Sequence, residues 1–202
     1  MKVIDAIAHV LKAEGVDYLF AYPVNHIIEA AAKLDIRTII VRQERIGLHM
    51  ADALARLTSG KKIGVFCMQS GPGAENAFGG VAQAYGESAP IVVLPGGYAR
   101  SLTNVPPNFN SFLNFQHVTK SCEQVVVPAA VTDALRRAFT AVRNGRPRPA
   151  LVEIPADIMN EEVPDPLDYR PALALRYGPD PADVQKAAQM FVVRYHGDDV
   201  DR

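Results

Sequence analysis

Apolar positions along this chain change period repeatedly. Val3, Ile4, Ile7, Ala8, Val10 and Leu11 recur at helical spacing and stop at Gly15, after which residues 18–22 form a short apolar run closed by Pro23. Ile27, Ile28, Ala31 and Leu34 predict a second helix, and the β-branched run at 38–41 predicts a second strand. A helix over 43–58 follows, ended by Ser59-Gly60. The alternation continues with strands predicted at 63–68, 91–94, 125–127 and 151–154 and helices at 74–85 and 132–142. Strands that are apolar almost throughout, separated by helices, indicate parallel pairing with both faces of the sheet covered. The expected fold is α/β: a doubly wound, mostly parallel sheet with helices on both faces. Ligands of such sheets lie beyond the carboxyl ends of the strands, which directs attention to residues 22–25, 42–45, 69–76 and 95–114.

The pattern breaks near residue 160. Pro164, Pro166, Pro171, Pro179 and Pro181 punctuate a stretch without sustained period, which reads as a semi-rigid linker over 161–182. A helical pattern restarts at Asp183, and the residues left after it are too few to bury a core. The expected organisation is one domain over 1–160, the linker, and the truncated start of a second domain over 183–202.

Composition narrows the class of partner. The 202 residues carry 21 Lys and Arg against 22 Asp and Glu, which supplies neither a basic footprint for nucleic acid nor a charge block drawn to a membrane surface. Cys67 and Cys122 match no metal-ligand spacing and are too few for a disulfide framework, so they are expected to be reduced thiols. Asp5 interrupts the start where a signal peptide needs an apolar stretch, and no later apolar run approaches the ~18 residues of a membrane span. The expected location is the cytoplasm, with small molecules and protein surfaces as partners.

Candidate chemistry falls at the predicted strand ends. Gln69-Ser70-Gly71-Pro72-Gly73-Ala74-Glu75-Asn76 joins a strand to a helix, where glycines let the backbone approach a ligand and the helix start offers free amides. It is not a dinucleotide fingerprint, because Asn76 stands where the third glycine belongs; a tight strand-to-helix turn is the plain alternative. Glu44 opens the third helix, either as a carboxylate answering the helix dipole or as an acid/base held at the ligand edge. His26 follows Tyr22-Pro23 as a cap or a proton carrier, and no histidine has ligand-like spacing to another, so no metal is assigned to this chain. Ala74, Ala77, Gly80, Ala82 and Ala84 give one helix a small face suited either to a subunit interface or to close packing on the sheet.

Taken in order, these pieces resemble the N-terminal pyrimidine-binding domain of thiamine diphosphate-dependent enzymes, particularly the acetolactate synthase group. The resemblance covers about residues 1–160 and rests on Glu14-Gly15-Val16, Tyr22-Pro23, Val41-Arg42-Gln43-Glu44 and Ala51-Asp52-Ala53-Leu54-Ala55-Arg56. It continues through Ser70-Gly71-Pro72-Gly73-Ala74-Glu75-Asn76, Ala84-Tyr85, Ser88-Ala89-Pro90-Ile91 and the run from Gly145 to Pro155. The resemblance implies that Glu44 hydrogen-bonds the aminopyrimidine ring nitrogen of thiamine diphosphate and favours the imino tautomer, which then removes the thiazolium proton. It implies that Pro23, Pro72 and Asn76 line the same pocket. The implied reaction is decarboxylation or carboligation of a 2-oxo acid, as in branched-chain amino acid biosynthesis.

The resemblance also implies what lies outside this sequence. Family members hold the diphosphate and its Mg2+ on another domain, marked by a Gly-Asp-Gly segment; here Gly197-Asp198-Asp199 lies three residues from the end. FAD, an option in full-length relatives, likewise relies mostly on a further domain. The chain is therefore expected to work as a homodimer or with a partner chain that supplies the diphosphate-binding domain. Val24-Asn25 replaces the two glycines usual after Tyr-Pro, and Pro106-Pro107-Asn108 stands where a Phe-Gln-Glu segment is usual. These departures, with the Asn-, Pro- and Phe-rich loop over 101–116, point to a different donor or acceptor substrate. Two alternatives stay open: a non-catalytic relative that dimerises or modulates a full-length enzyme, and the small subunit of a two-chain decarboxylase.

Overall fold

The structure is a computed structural model that describes residues 1–23, 26–175 and 177–197, the last five by backbone alone. Helices α1 (Val3–Ala13), α2 (Ile27–Lys33), α3 (Glu44–Leu57), α4 (Pro72–Gly86), α5 (Ser111–Phe115), α6 (Val131–Arg143) and α7 (Pro181–Gly197) alternate with six strands. The strands are β1 (Tyr18–Ala21), β2 (Arg37–Ile40), β3 (Gly64–Met68), β4 (Ile91–Gly97), β5 (Ser121–Gln124) and β6 (Ala150–Pro155). All pairings are parallel, in the order β2-β1-β3-β4-β6-β5.

The two-residue repeat of the strands divides the core in two. Val65, Cys67, Val92, Leu94, Val152 and Ile154 pack with α1, α2 and α6, whereas Phe66, Met68, Ile91, Val93 and Leu151 pack with α3 and α4. β3 and β4 lie at the centre of the sheet with both faces covered, which is why their sequences are apolar without a break. The sheet and its helices realise the expected doubly wound α/β fold.

Two details differ from the sequence pattern. The strand expected at 125–127 forms instead at Ser121–Gln124, pairing Ser121 with Ala150 through Gln124 with Glu153. β5 is an edge strand with one hydrogen-bonded neighbour and half-buried residues throughout, so it carries no apolar run. Val125 alone turns into the core; Val126 and Val127 are exposed. Within the irregular segment at 101–116, Asn110 caps α5 by accepting from the Leu113 amide at 2.9 Å, and Phe115 is fully buried, edge-on to Phe78 and Phe109.

The Pro-rich segment is tied down along much of its length. Glu14, at the end of α1, is buried and accepts from the Arg143 guanidinium, the Tyr169 hydroxyl and the Ala172 amide. Asn144 adds bonds to Leu173 and Leu175 at 2.9 and 2.7 Å. Leu167, Tyr169 and Ala172 pack against the α1/α6 core, and Arg136 stacks over the Tyr169 ring at 5.0 Å. By contrast, Val184, Met190 and Phe191 of α7 are exposed.

Candidate functional site at the carboxyl edge of the sheet

Three elements converge beyond the carboxyl ends of β1, β3 and β4. Glu44 is the first residue of α3, Gln69 follows the last residue of β3, and Asn76 lies in the second turn of α4. Close approach of α3 and α4 to their neighbours fixes their relative placement. A Cβ on Gly47 would meet the Phe66 ring at 2.5 Å, and one on Gly80 would meet Leu48 at 2.4 Å. The small face of α4 (Ala74, Ala77, Gly80, Ala84) is thus spent on packing within the chain, with Gly80 against Leu48 of α3.

The turn from β3 into α4 depends on Gly71. Its φ of +59° is a left-handed conformation that side chains disfavour, and a Cβ there would lie 2.3 Å from the Tyr98 hydroxyl. Pro72 then occupies the first helical position, where the missing N–H costs nothing. Tyr98, immediately after β4, roofs the turn.

Glu44 is 5% exposed. Asn76 Nδ2 donates to its Oε2 at 2.7 Å, and the amino end of α3 favours its negative charge. Its Oε1 has no hydrogen bond among the described residues. Oε1 instead faces a notch at Gly73, where a Cβ would lie 3.1 Å from it and 2.5 Å from Gln69 Cγ. The result is a buried carboxyl group with one oxygen held and the other available to a ligand.

Of the residues singled out in the sequence, the fold brings Glu44 and Asn76 into direct contact. Pro23 and Pro72 are exposed at the end of β1 and the start of α4, and His26 is exposed as well. Val24-Asn25 and Asp198-Asp199 lie outside the described residues. Gly73 and the stem of Gln69 lie beside Glu44, and Tyr98 lies over Gly71; Gln69 and Tyr98 had no role assigned from sequence. The available signal for Gln69 was a polar residue directly after a five-residue buried strand.

Other titratable features lie apart from this site. Burial pushes the Cys67 thiol up and the Cys122 thiol up to about 12. Among the described residues no group of three or more His, Cys, Asp or Glu side chains could hold a metal ion. A cavity of about 380 Å³ at the opposite, amino edge carries Lys12, Asp17, Asp35 and Arg37 and does not adjoin Glu44. Among the described residues no helix is long and apolar enough to cross a membrane.

Comparison with known proteins matches this chain to a family. The probable acetolactate synthase large subunit of Methanocaldococcus jannaschii is 32% identical over 168 residues, covering 81% of this chain and 28% of that protein. The acetolactate synthase large subunit of Haemophilus influenzae is 35% identical over 176 residues, covering 84% and 30% respectively. Acetolactate synthase isozyme 3 large subunit of Escherichia coli is 34% identical over 177 residues, covering 82% and 30%. The chain thus spans less than a third of the length of these relatives. The family described as thiamine pyrophosphate enzyme, N-terminal TPP binding domain, matches residues 1–131, and the chain belongs to that family.

Proposed function

We propose that this chain binds the aminopyrimidine half of thiamine diphosphate, with Glu44 activating the ring, as the N-terminal part of an acetolactate synthase-like 2-oxo acid decarboxylase or carboligase. The half-used carboxyl group of Glu44 carries this reading. Asn76 holds Oε2, while Oε1 is without a protein partner among the described residues and lies beside Gly73, so it is free to share a proton with a ring nitrogen.

Bound thiamine diphosphate supplies a carbon that adds to a 2-oxo acid and accepts the electron pair released with carbon dioxide. The residues of this chain prepare the site for that chemistry. Glu44 shares a proton with the ring nitrogen, and its burial strengthens the bond relative to one in water. Asn76 keeps the carboxyl in one orientation. Pro23 and Pro72 shape the rim with rings that lose little entropy when covered.

The diphosphate and Mg2+ require a second unit, supplied by the C-terminal continuation or by a partner chain, with a homodimer as the expected assembly. In this reading residues 1–160 form the pyrimidine domain, 161–182 a connection, and 183–202 the start of a further domain. The setting is cytoplasmic branched-chain amino acid biosynthesis, and any FAD would rest on regions beyond this chain. The test is titration of the purified chain with thiamine diphosphate and Mg2+, with and without a diphosphate-domain partner, for wild type and Glu44→Gln. Tight binding and 2-oxo acid turnover are expected with the partner and wild-type Glu44. Turnover by the isolated chain, or turnover in the complex indifferent to Glu44→Gln, would overturn the proposal.

A further inference from the structure

Three cations gather at the amino edge of the sheet, opposite the edge that carries Glu44. Lys120 directly precedes β5, and Arg146 and Arg148 lie in the segment that leads into β6. Both arginines reach the end of α4. Arg146 Nε donates to Ser88 Oγ at 2.7 Å, and Arg148 Nη1 donates to the Tyr85 hydroxyl at 2.6 Å while its guanidinium stacks over the Tyr85 ring at 4.0 Å. The Ser88 amide donates to the Tyr85 carbonyl at 3.3 Å, closing a turn that holds the two Cα atoms within about 7 Å. The two guanidiniums are thus anchored on neighbouring side chains.

This charge is not answered by a carboxylate. Among the described residues none of the three cations has an ion-pair partner. Glu87, next to Ser88, is taken by Arg56 at 3.2 Å. Lys120 gives its ammonium to the carbonyls of Ala141, Asn144 and Arg146 at the end of α6, so it adds charge rather than a contact. Burial, and after it the charge of Arg148, lowers the proton affinity of Lys120. Arg148 is half-buried and its Nε–H is buried without a hydrogen-bond partner, so this guanidinium has given up water at one donor and holds one neutral acceptor. The carbonyl ends of α4 and α6 offset part of the charge, but each carries only about half an elementary charge. Both Nη groups of the exposed Arg146 and Nη2 of Arg148 have no acceptor among the described residues.

We propose that Arg146, Arg148 and the Ser88 hydroxyl form a binding site for a phosphate group at the amino edge of the sheet. A phosphate dianion suits this donor set. Its charge answers two guanidiniums, and its oxygens can accept from both at once. Ser88 accepts from Arg146 and keeps its own O–H to donate. A monocarboxylate has one charge and two oxygens, which one guanidinium fork satisfies, leaving the other idle. Inorganic phosphate and a small phosphate ester share this chemistry. The site lies at the opposite edge from Glu44, so it stands or falls independently of the cofactor reading.

The test titrates the purified, cofactor-free chain near neutral pH with inorganic phosphate, a glycerol phosphate ester or acetate, each at matched ionic strength. The arginine guanidinium carbons are followed by NMR, with Arg146 and Arg148 assigned by the loss of their signals in Arg146→Gln and Arg148→Gln. Both signals should move and saturate with phosphate or the ester, and the tighter of the two identifies the source. Each substitution should weaken phosphate binding about tenfold or more. Arg37→Gln, which removes an exposed cation at the start of β2, should leave it unchanged. Arg146 touches α4 only through Ser88, so Arg146→Gln keeps the test open where Arg148→Gln, which loses the Tyr85 stack, fails to fold. The proposal is overturned by shifts that never saturate and match those in sodium chloride, or by acetate binding as tightly as phosphate. Phosphate affinity indifferent to both substitutions, or lowered as much by Arg37→Gln, overturns it equally.

Discussion

Gly73→Ala separates the stability of this domain from the competence of its site. The new methyl group would sit 2.5 Å from Gln69 Cγ and 3.1 Å from Glu44 Oε1, so the Gln69 stem must leave its present rotamer and the carboxyl must give way by a few tenths of an ångström. Gly73 lies in the first turn of α4 with an ordinary helical φ, so alanine adds up to about 1 kcal/mol of helix propensity. A strained Gln69 side chain costs about 0.5–1.5 kcal/mol in return. Net stability should lie between a gain of about 0.5 and a loss of about 1.5 kcal/mol. The site has no such compensation. Displacing Oε1 removes a charge-assisted hydrogen bond to the ligand worth about 1.5–3 kcal/mol, so affinity for thiamine diphosphate should fall about 10- to 150-fold. Urea unfolding followed by circular dichroism suits a chain with no tryptophan, and calorimetric titration in the presence of a diphosphate-domain partner gives the affinity. Unchanged affinity in a folded Gly73→Ala chain would refute the assignment of the notch, and a stability loss above ~3 kcal/mol would refute the packing estimate.

Three further outcomes are expected. Glu14→Ala leaves Arg143, Tyr169 and the Ala172 amide without their shared acceptor and should cost about 3–5 kcal/mol in urea unfolding, with loss of hydrogen-exchange protection at Ala172; retained protection would show that the segment is held by packing alone. With Cys67 pushed up by burial and Cys122 pushed up to about 12, both thiols should resist iodoacetamide at pH 8 in the folded chain and react on unfolding, and fast labelling of the native protein would contradict their burial. Burial raises the proton affinity of Asp157, but the hydrogen bonds from Arg100 outweigh it, leaving its folded pKa below the ordinary 3.8. Such a carboxylate stabilises the fold above its unfolded pKa and loses that contribution as pH falls through its folded pKa. Wild type and Asp157→Asn should therefore differ in urea midpoint near neutrality and converge at acid pH, and a constant gap down to pH 2 would refute the link.

The legibility of this fold varied with burial and with distance along the chain. Central strands such as Gly64–Met68 were evident because both faces are covered, and the amphipathic helices because only one side of each is. β5 was displaced because an edge strand needs backbone partners on one side only, so its residues are not selected as an apolar run. The same limit applied to the site. Glu44 and the glycine turn stood out as residues at strand ends, while Gln69 carried no pattern beyond its polarity. The role of Glu14 at the α1 end is set by Tyr169, 155 positions away, and by Arg143, 129 away.

By itself, then, the sequence determined the doubly wound architecture, the edge at which chemistry gathers and the family motifs strung along it, because periodicity, glycine and proline act over a few residues. Only the tertiary structure decided that Asn76 holds one oxygen of Glu44 across 32 positions, that the other lies against Gly73 where no side chain fits, and that much of the Pro-rich segment is fastened to α1 and α6. Those contacts depend on strand order and on how closely glycine lets two helices approach, quantities that no local pattern encodes.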